Sequence, residues 1–423
     1  MANEKLENKR WIIAIGAIVM QLCLGTVYAW SVFKKPLIAA HGWGETETQM
    51  AFMILMLVVG FAAAFGGTLV DKKGPRFVAT VGGILFGIGT LLTGLADQFG
   101  SIYLLYFGYG IIGGLGNGFC YVTPIATLIR WFPDKRGLVT GLAVMGFGLG
   151  AFFMGKIAPA MIIAYKGGFT ESGVAMTFYI WGVIFMVLVV AAAQLFKNPP
   201  TGWLPTGFTP AASTVSAADS YNFGQAVKTP QWWMLWAMLF LNVSAGLGLI
   251  SQLSPISQDL AKATLPEGLT PEDAAKMLAI AGGAVVAYTA IFNGLGRLFW
   301  ASVSDKIGRK AVFMTMFATQ AVIYLLVAYG VIGTYGLFLI AGCYLLACYG
   351  GGFATMPAFA ADSFGPGYIG KVYGFMLTAW ACAGVLGPLV FSMFKEQALL
   401  IAACLLAMGF IVACLYKKPE KRK

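Results

Sequence analysis

Twelve long apolar stretches constrain the fold of this sequence more than any other feature. Hydrophobic residues account for 59% of the 423 positions and charged residues for only 11%, whereas a soluble domain carries about 25% charged residues. An apolar helix of about 20 residues crosses the hydrocarbon core of a bilayer. The sequence therefore predicts an all-α membrane protein with twelve transmembrane helices, at roughly 11–33, 49–70, 77–96, 101–129, 138–163, 174–196, 232–257, 277–302, 311–330, 334–360, 372–394 and 397–416.

The longest polar stretch between these spans divides them into two groups of six. It covers about 197–230 and is rich in Pro, Ser, Thr and Gly, which is the composition of a linker rather than of a packed core. We therefore expect three parts: an N-terminal six-helix bundle over 1–196, a cytoplasmic linker over 197–230 and a C-terminal six-helix bundle over 231–423.

Two short passages recur in the second group of spans at nearly the same offset. "DKKGPR" at 71–76 corresponds to "DKIGRK" at 305–310, and "GNGFCYVTP" at 116–124 corresponds to "YGGGFATMP" at 349–357. The recurrence predicts two parallel repeats. In membrane proteins built from such repeats, binding sites lie near the middle of the bilayer, between the repeats.

The distribution of basic residues predicts the orientation in the membrane. Most of the 28 Lys and Arg residues fall in segments that are cytoplasmic if the N-terminus is cytoplasmic. We therefore expect an integral protein of the plasma (inner) membrane, embedded in the lipid bilayer, with an uncleaved first helix and both termini in the cytoplasm. Topology accounts for the net charge of +11, so no nucleic-acid partner is expected. The seven cysteines stand singly, so we expect packing residues rather than disulfides or a metal site. We also expect a monomer that uses no cofactor.

One arginine lies within an apolar span. In "FNGLGRLFWASVSDKIGRK", from Phe292 to Lys310, Arg297 precedes Asp305 by two helical turns, which places it roughly 12 Å inside the inner end of the helix. A charge at this depth costs at least about 2.5–3.5 kcal/mol unless it is paired or hydrated. Snorkelling to the interface and a structural ion pair are the alternatives to a functional role. No acidic residue lies in the central part of any predicted span, so we expect a visiting anion to be the counter-ion.

Asn293 and five aromatic residues are further candidates for contact with that anion. Asn293 precedes Arg297 by one helical turn, and it either holds the arginine side chain, donates to the anion or makes a helix-packing hydrogen bond. Tyrosine hydroxyls near mid-depth suit a carboxylate or a hydroxyl group. The alternative for any aromatic residue is packing or an interfacial belt. The aromatic candidates are Tyr28, Tyr121, Tyr349, Phe353 and Trp380.

The segment "GTLVDKKGPR", from Gly67 to Arg76, resembles the signature G-x-L-x-D-x-x-G-x-R of the major facilitator superfamily. A second copy begins at Ala301, where the signature has glycine. The resemblance implies the major facilitator fold, with twelve transmembrane helices in two parallel six-helix repeats. It also implies a gating motif whose aspartate bonds the N-terminus of a neighbouring helix while the carrier is open to the outside. The residues of this gating motif are Asp71, Arg76, Asp305 and Arg309.

A closer resemblance is to the oxalate:formate antiporter family, which also contains monocarboxylate carriers. It is carried by "RWFPDKRGLVTG" from Arg130, "TPQWWMLW" from Thr229 and "FNGLGRLFWASVSDKIGR" from Phe292, and it extends over nearly the whole chain. The family places a substrate-binding arginine in the eighth span, which implies this role for Arg297. The antiporter itself has a lysine in span eleven after a "YGF" triplet, whereas this sequence has Trp380 there.

The single buried cation and this resemblance favour transport of a small monocarboxylate such as lactate, pyruvate or formate. Oxalate, a dicarboxylate, would favour two cations, and exchange of oxalate for formate is the alternative. Protons are a possible second partner: either the substrate carboxylate carries the proton, or Asp259 or Asp273 relays it near the outer surface. With one histidine and no buried carboxylate pair, the sequence argues against an enzyme. A carboxylate sensor on a carrier fold, acting through a partner protein, is the competing class of function.

Overall fold

The computed structural model describes residues 2–168, 170–200, 203–208, 220–365 and 368–419 of the chain. Within these ranges the regular structure is helical and contains no strand. Helices suit the hydrocarbon region of a bilayer because they pair their backbone N–H and C=O groups internally. Twelve helices are long and apolar enough to cross a membrane. They are α1 (Leu6–Ala29), α2 (Glu45–Val70), α3 (Pro75–Phe99), α4 (Ile102–Trp131), α5 (Gly141–Tyr165), α6 (Val174–Leu195), α7 (Pro230–Ile250), α8 (Pro271–Ile307), α9 (Arg309–Ala328), α10 (Tyr335–Phe364), α11 (Lys371–Met393) and α12 (Ala398–Leu415).

The number of spans agrees with the sequence prediction. The ends of the helices differ from the predicted ends by several residues, because capping residues rather than hydropathy determine where a helix begins and ends. α8, predicted at roughly 277–302, runs from Pro271 to Ile307. Thr270 begins it, since its Oγ1 accepts a hydrogen bond from the Asp273 amide at 3.1 Å. Gly308, with a φ of 91°, ends it.

The first helix of each group changes direction near the face of the bundle that lies opposite the two chain termini, which we call the distal face. After Gly25 a 3₁₀ turn covers Thr26–Ala29, and a helix resumes at Ser31–His41. α7 ends at Ile250, and a short helix follows at Leu253–Ala261. We call these two short helices the distal helices. They carry charged residues to the line where the two groups of six meet.

Each group of six helices packs in the same order. α1 contacts α5, α2 contacts α4 and α3 contacts α6; in the second group α7 contacts α11, α8 contacts α10 and α9 contacts α12. Among the described residues, the two groups meet most extensively where α5 packs on α8 and α2 packs on α11. The two pairs are equivalent in the repeats, because α11 is the counterpart of α5 and α8 is the counterpart of α2. Parallel repeats require this equivalence.

Glycines bring the backbones of α5 and α8 into direct contact. A Cβ atom at Gly283 would lie 2.3 Å from the carbonyl oxygen of Gly155 and 2.5 Å from the Cγ atom of Pro159. Further along, a Cβ atom at Gly148 would lie 3.0 Å from the Cα atom of Gly294. Small residues permit this approach between membrane helices. The seam between the groups is therefore tight along α5 and α8.

Candidate functional site

The guanidinium of Arg297 is buried in α8 without a charge partner. The residue is 2% exposed, and its Nε and Nη1 atoms have no hydrogen-bond partner among the described residues. It lies over the ring of Phe353, whose centroid is 5.5 Å from the Cζ atom. Buried polar groups are nearly always satisfied. At these two atoms Arg297 is an exception.

Gly350 of α10 fixes the backbone around Arg297. A Cβ atom at Gly350 would lie 2.2 Å from the carbonyl oxygen of Asn293 and 3.0 Å from the Cγ atom of Arg297, so only glycine lets α10 lie this close to α8. Asn293 is buried, and its Oδ1 atom has no hydrogen-bond partner in the described part of the chain. The helix-packing hydrogen bond considered for Asn293 is therefore not made at this atom.

A hydrogen bond between two tyrosines crosses the seam beside Arg297. The hydroxyl groups of Tyr28 in α1 and Tyr349 in α10 lie 2.7 Å apart, and both residues are buried. Tyr28 and Tyr121 of α4 also lie against the Arg297 guanidinium. Three hydroxyl groups predicted from separate spans thus converge on one cation.

Six aromatic residues, three from each group of helices, form a cage at this point. Trp380 of α11 contacts Tyr121 with ring centroids 5.2 Å apart and Phe353 at 5.4 Å. Phe353 in turn contacts Tyr349 at 5.4 Å, as the spacing of one helical turn predicts. The aromatic cage consists of Tyr28, Tyr121, Phe147, Tyr349, Phe353 and Trp380.

Phe147 is the member of the cage that the sequence did not single out. Its ring contacts Tyr28 and Tyr121, with centroids 5.2 Å apart in both cases. It lies in "GFGLGAFF" of α5, where its two glycine neighbours let α5 approach α1 and α8. That glycine pattern was the available signal, but it marks a contact between backbones and does not show which side chain points inwards.

Ion pairs and hydrogen bonds join the two groups of helices at the distal face. Lys35 contacts Asp259 at 3.2 Å, and Gln252 donates from Nε2 to Glu45 at 3.1 Å. Glu45 also forms a close ion pair with Lys395. Among the described residues, the hydrogen bonds and ion pairs that cross between α1–α6 and α7–α12 lie at the aromatic cage or nearer the distal face. The structure is therefore closed on the distal side.

Asp259 and Asp273 lie at the distal face rather than in the aromatic cage. Burial would raise the pKa of Asp259, but Lys262 and Lys35 outweigh it and hold that pKa below its ordinary value. Asp273 is exposed in the first turn of α8, where its carboxylate accepts a hydrogen bond from the Thr270 hydroxyl at 2.7 Å. Neither residue contacts the aromatic rings of the cage or the guanidinium of Arg297 among the contacts described here.

The gating motif lies at the opposite end of the bundle. Arg309 pairs with Asp305 at 2.5 Å and with Asp362 of α10 at 3.2 Å, both within the second group of helices. Arg76 is exposed in the first turn of α3. The side chain of Asp71 lies outside the described part of the structure.

The described residues contain no group of three or more His, Cys, Asp or Glu side chains that could hold a metal ion. The candidate site is thus a cation in a ring of aromatic side chains. Such a site can bind and orient a small anion.

Comparison with known proteins agrees with the fold. The sequence profile of the major facilitator superfamily matches residues 11–288 and 278–423. The oxalate:formate antiporter of Oxalobacter formigenes is 30% identical over 388 residues, which cover 90% of this chain and 84% of that protein. Apicoplast pyruvate carrier 1 of Toxoplasma gondii is 24% identical over 472 aligned residues, 89% of this chain and 82% of the carrier.

A solved structure of a bacterial homologue of the human lysosomal transporter Spinster, in an inward-facing and unoccupied conformation, shares the fold. Its TM-score is 0.71 at 14% sequence identity, and the alignment covers 96% of both chains. This likeness concerns the path of the backbone. Together with the matching family profile and the antiporter relative, it shows that this chain is an integral membrane transporter of the major facilitator superfamily, in the family of the oxalate:formate antiporter.

Proposed function

We propose that the protein is a secondary transporter of small monocarboxylates resembling lactate or pyruvate, which binds the substrate carboxylate at Arg297. The observation that carries the proposal is the buried guanidinium with unpartnered Nε and Nη1 atoms. The N–H groups on these two atoms are left to donate to an acceptor, and a carboxylate is the group that the guanidinium fork matches. The substrate would supply the counter-ion that Arg297 lacks among the described residues.

The surroundings of Arg297 support a monocarboxylate. The aromatic cage offers apolar surface to a short carbon chain, and the hydroxyl groups of Tyr28, Tyr121 and Tyr349 offer hydrogen bonds to oxygen atoms. Trp380 occupies the position where the resemblance places a second cation, and it packs against Tyr121 and Phe353. One charge and a bulky ring suit a substrate with one carboxylate.

Alternating access would carry the substrate across. With both termini in the cytoplasm of a cell bounded by the plasma (inner) membrane, the distal face is the outer face. The carrier described here is then closed to the outside, since its cross-group pairs lie on that side. Separation of the outer ends of α1–α6 and α7–α12 would open Arg297 to the outside. We propose that a single chain performs this cycle.

The decisive experiment is uptake of labelled L-lactate and labelled oxalate into proteoliposomes, with and without an inward proton gradient. Lactate uptake that the gradient stimulates supports the proposal. Uptake of neither acid, in vesicles shown to contain folded protein, would overturn it. Binding of lactate without any flux would instead favour the sensor.

Exchange of oxalate for formate is the second candidate, because a relative with that printed activity is 30% identical over 90% of this chain. It predicts oxalate uptake that depends on formate inside the vesicles and is indifferent to pH. The two candidates differ in the number of cations that the site needs. Among the described residues, Arg297 is the only cation in contact with the aromatic cage.

Replacement of Trp380 by lysine tests this difference. The variant adds a second positive charge beside Tyr121 and Phe353, so we expect competition by oxalate against lactate uptake to strengthen about tenfold or more, since a close charge pair contributes about 1.5 kcal/mol or more. Trp380→Phe is the matched control, because it keeps an apolar ring and adds no charge. Equal oxalate affinity in the two variants would show that charge at position 380 does not select the substrate.

We further propose that the substrate carboxylate itself carries the coupled proton. The ion pairs that hold the pKa of Asp259 down keep this group ionised to lower pH, and the Asp273 carboxylate already accepts a hydrogen bond from the Thr270 hydroxyl. Asp259→Asn and Asp273→Asn should therefore each retain stimulation of lactate uptake by an inward proton gradient, within about twofold of the wild type. If either variant transports lactate but no longer responds to the gradient, that residue is the relay.

A further inference from the structure

The outer ion pairs distribute four lysines around two carboxylates in a regular way. Glu45 contacts Lys34 of its own group of helices at 3.5 Å and also forms a close pair with Lys395 of the other group. Asp259 contacts Lys262 of its own group at 2.9 Å and Lys35 of the other group at 3.2 Å. Each carboxylate therefore has one lysine that moves with it and one that does not.

Separation of the outer ends breaks only the pairs that cross between the groups. Glu45 keeps Lys34, whose side chain is 1% exposed and whose Nζ atom has no hydrogen-bond partner among the described residues. Burial lowers the pKa of Lys34 to about 8. A buried ammonium of this kind gains from a closer approach of its carboxylate. Glu45 can therefore pair with Lys34 when its contact with Lys395 is lost.

The two lysines left over belong to opposite groups of helices. Lys35 lies on the distal helix Ser31–His41 of the first group, and Lys395 lies between α11 and α12 of the second. Both side chains are already partly exposed in the closed carrier. In the open carrier neither would have a carboxylate of its own group as a partner among the contacts described above.

We propose that Lys35 and Lys395 form an outer docking site for the carboxylate group of small organic anions, available in the outward-open carrier and withdrawn when it closes. The proposal rests on the proposed function, since it requires carboxylate transport by alternating access. Two ammonium groups at the rim of a low-dielectric cleft raise the local concentration of anions and their rate of arrival. When the carrier closes, Glu45 and Asp259 form their ion pairs with these lysines again, and the anion loses both contacts. Arg297 is then the cation that binds it.

Transport measured separately from the two sides tests the docking site. Lactate uptake is followed into right-side-out and into inverted membrane vesicles for Lys35→Gln, Lys395→Gln and the double variant. At about 50 mM salt we expect each single variant to raise the outer KM about threefold to fivefold, as loss of one partly exposed charge contact predicts. The inner KM should not change. At about 0.5 M salt the difference should shrink to within twofold, because screening shortens the range of the field.

Two control variants separate docking from gating. Glu45→Gln breaks the same ion pair as Lys395→Gln but keeps the lysine, so it should not raise the outer KM. Lys276→Gln removes an outer lysine that pairs with Glu272 at 2.7 Å within its own helix, so it should leave both KM values unchanged. If Glu45→Gln and Lys395→Gln have the same effect, the lysines only hold the gate, and the docking site is rejected.

Failure of the docking site is distinguishable from failure of the proposed function. An unchanged outer KM in the double variant, in vesicles where the wild type transports lactate, rejects the site and leaves Arg297 as the substrate residue. Absence of lactate transport by the wild-type protein rejects the proposed function first.

Discussion

Replacement of Arg297 by glutamine is expected to lower lactate uptake by about 30-fold or more. The variant removes the only cation in contact with the aromatic cage among the described residues, and loss of one partner of a desolvated, hydrogen-bonded charge pair costs about 2–5 kcal/mol. At about 1.4 kcal/mol per factor of ten, that range corresponds to roughly 30-fold to several thousandfold. The measurement is initial uptake rate at a fixed lactate concentration, corrected for protein content.

Thermal unfolding of the same variant separates a binding role from a structural one. A buried charge without a partner destabilises the empty protein, so its removal should leave the melting temperature unchanged or raise it. Lactate should raise the melting temperature of the wild type and not that of Arg297→Gln, because a ligand stabilises only the state that binds it. If the variant without lactate melts well below the wild type, Arg297 belongs to a structural ion pair and the proposal is wrong.

Two further variants show whether geometry or charge alone is needed. Arg297→Lys keeps the charge but loses the fork of two parallel donors, so we expect uptake between that of Arg297→Gln and the wild type. Lys156→Gln is the matched control: Lys156 is a cation within α5, but it is exposed and lies over the ring of Tyr288, 4.4 Å from its centroid. Its loss should change lactate uptake by less than about twofold, since exposed charge contacts contribute little.

The sequence predicted the parts of the site that depend on one helix. Arg297 was visible because a charge within an apolar span is costly, and contact between Tyr349 and Phe353 followed from their spacing of one turn. The number of spans followed from hydropathy alone and agrees with the structure. The division into an N-terminal bundle, a linker and a C-terminal bundle stays a prediction, although the order of helix contacts repeats from one group to the other.

The parts that the sequence did not predict depend on how the two groups of helices meet. Phe147 enters the cage because α5 packs against α1 and α8, and no local spacing identifies its side chain. The pairs Lys35–Asp259 and Glu45–Lys395 join residues more than 200 positions apart, so no helical periodicity connects them. Asp259 was considered for proton transfer on depth alone, and its ion pairs became visible only in three dimensions.

Replacement of Gly283 by alanine is expected to reduce lactate transport at least tenfold by opposing closure of the outer side. Gly283 precedes Arg297 by 14 residues, about 21 Å along α8 towards the outer face. The added Cβ atom would lie 2.3 Å from the carbonyl oxygen of Gly155, and a helix backbone cannot yield as a flexible side chain does. Separation of α5 from α8 at this end relieves the clash. The variant should therefore favour the outward-open carrier, because close-packed interfaces respond by switching between states.

Labelling from outside measures that shift. Gln252 is buried at the distal face, which the proposed orientation makes the outer face, and its side chain donates a hydrogen bond to Glu45 across the seam. In a background without the seven native cysteines, Gln252→Cys should react with an impermeant maleimide several times faster when Gly283→Ala is present. Gly336→Ala is the matched control, because no atom lies within 4 Å of its added Cβ atom, and it should leave labelling and transport unchanged. Loss of transport by Gly283→Ala without faster labelling would mean that the α5–α8 seam does not open at its outer end.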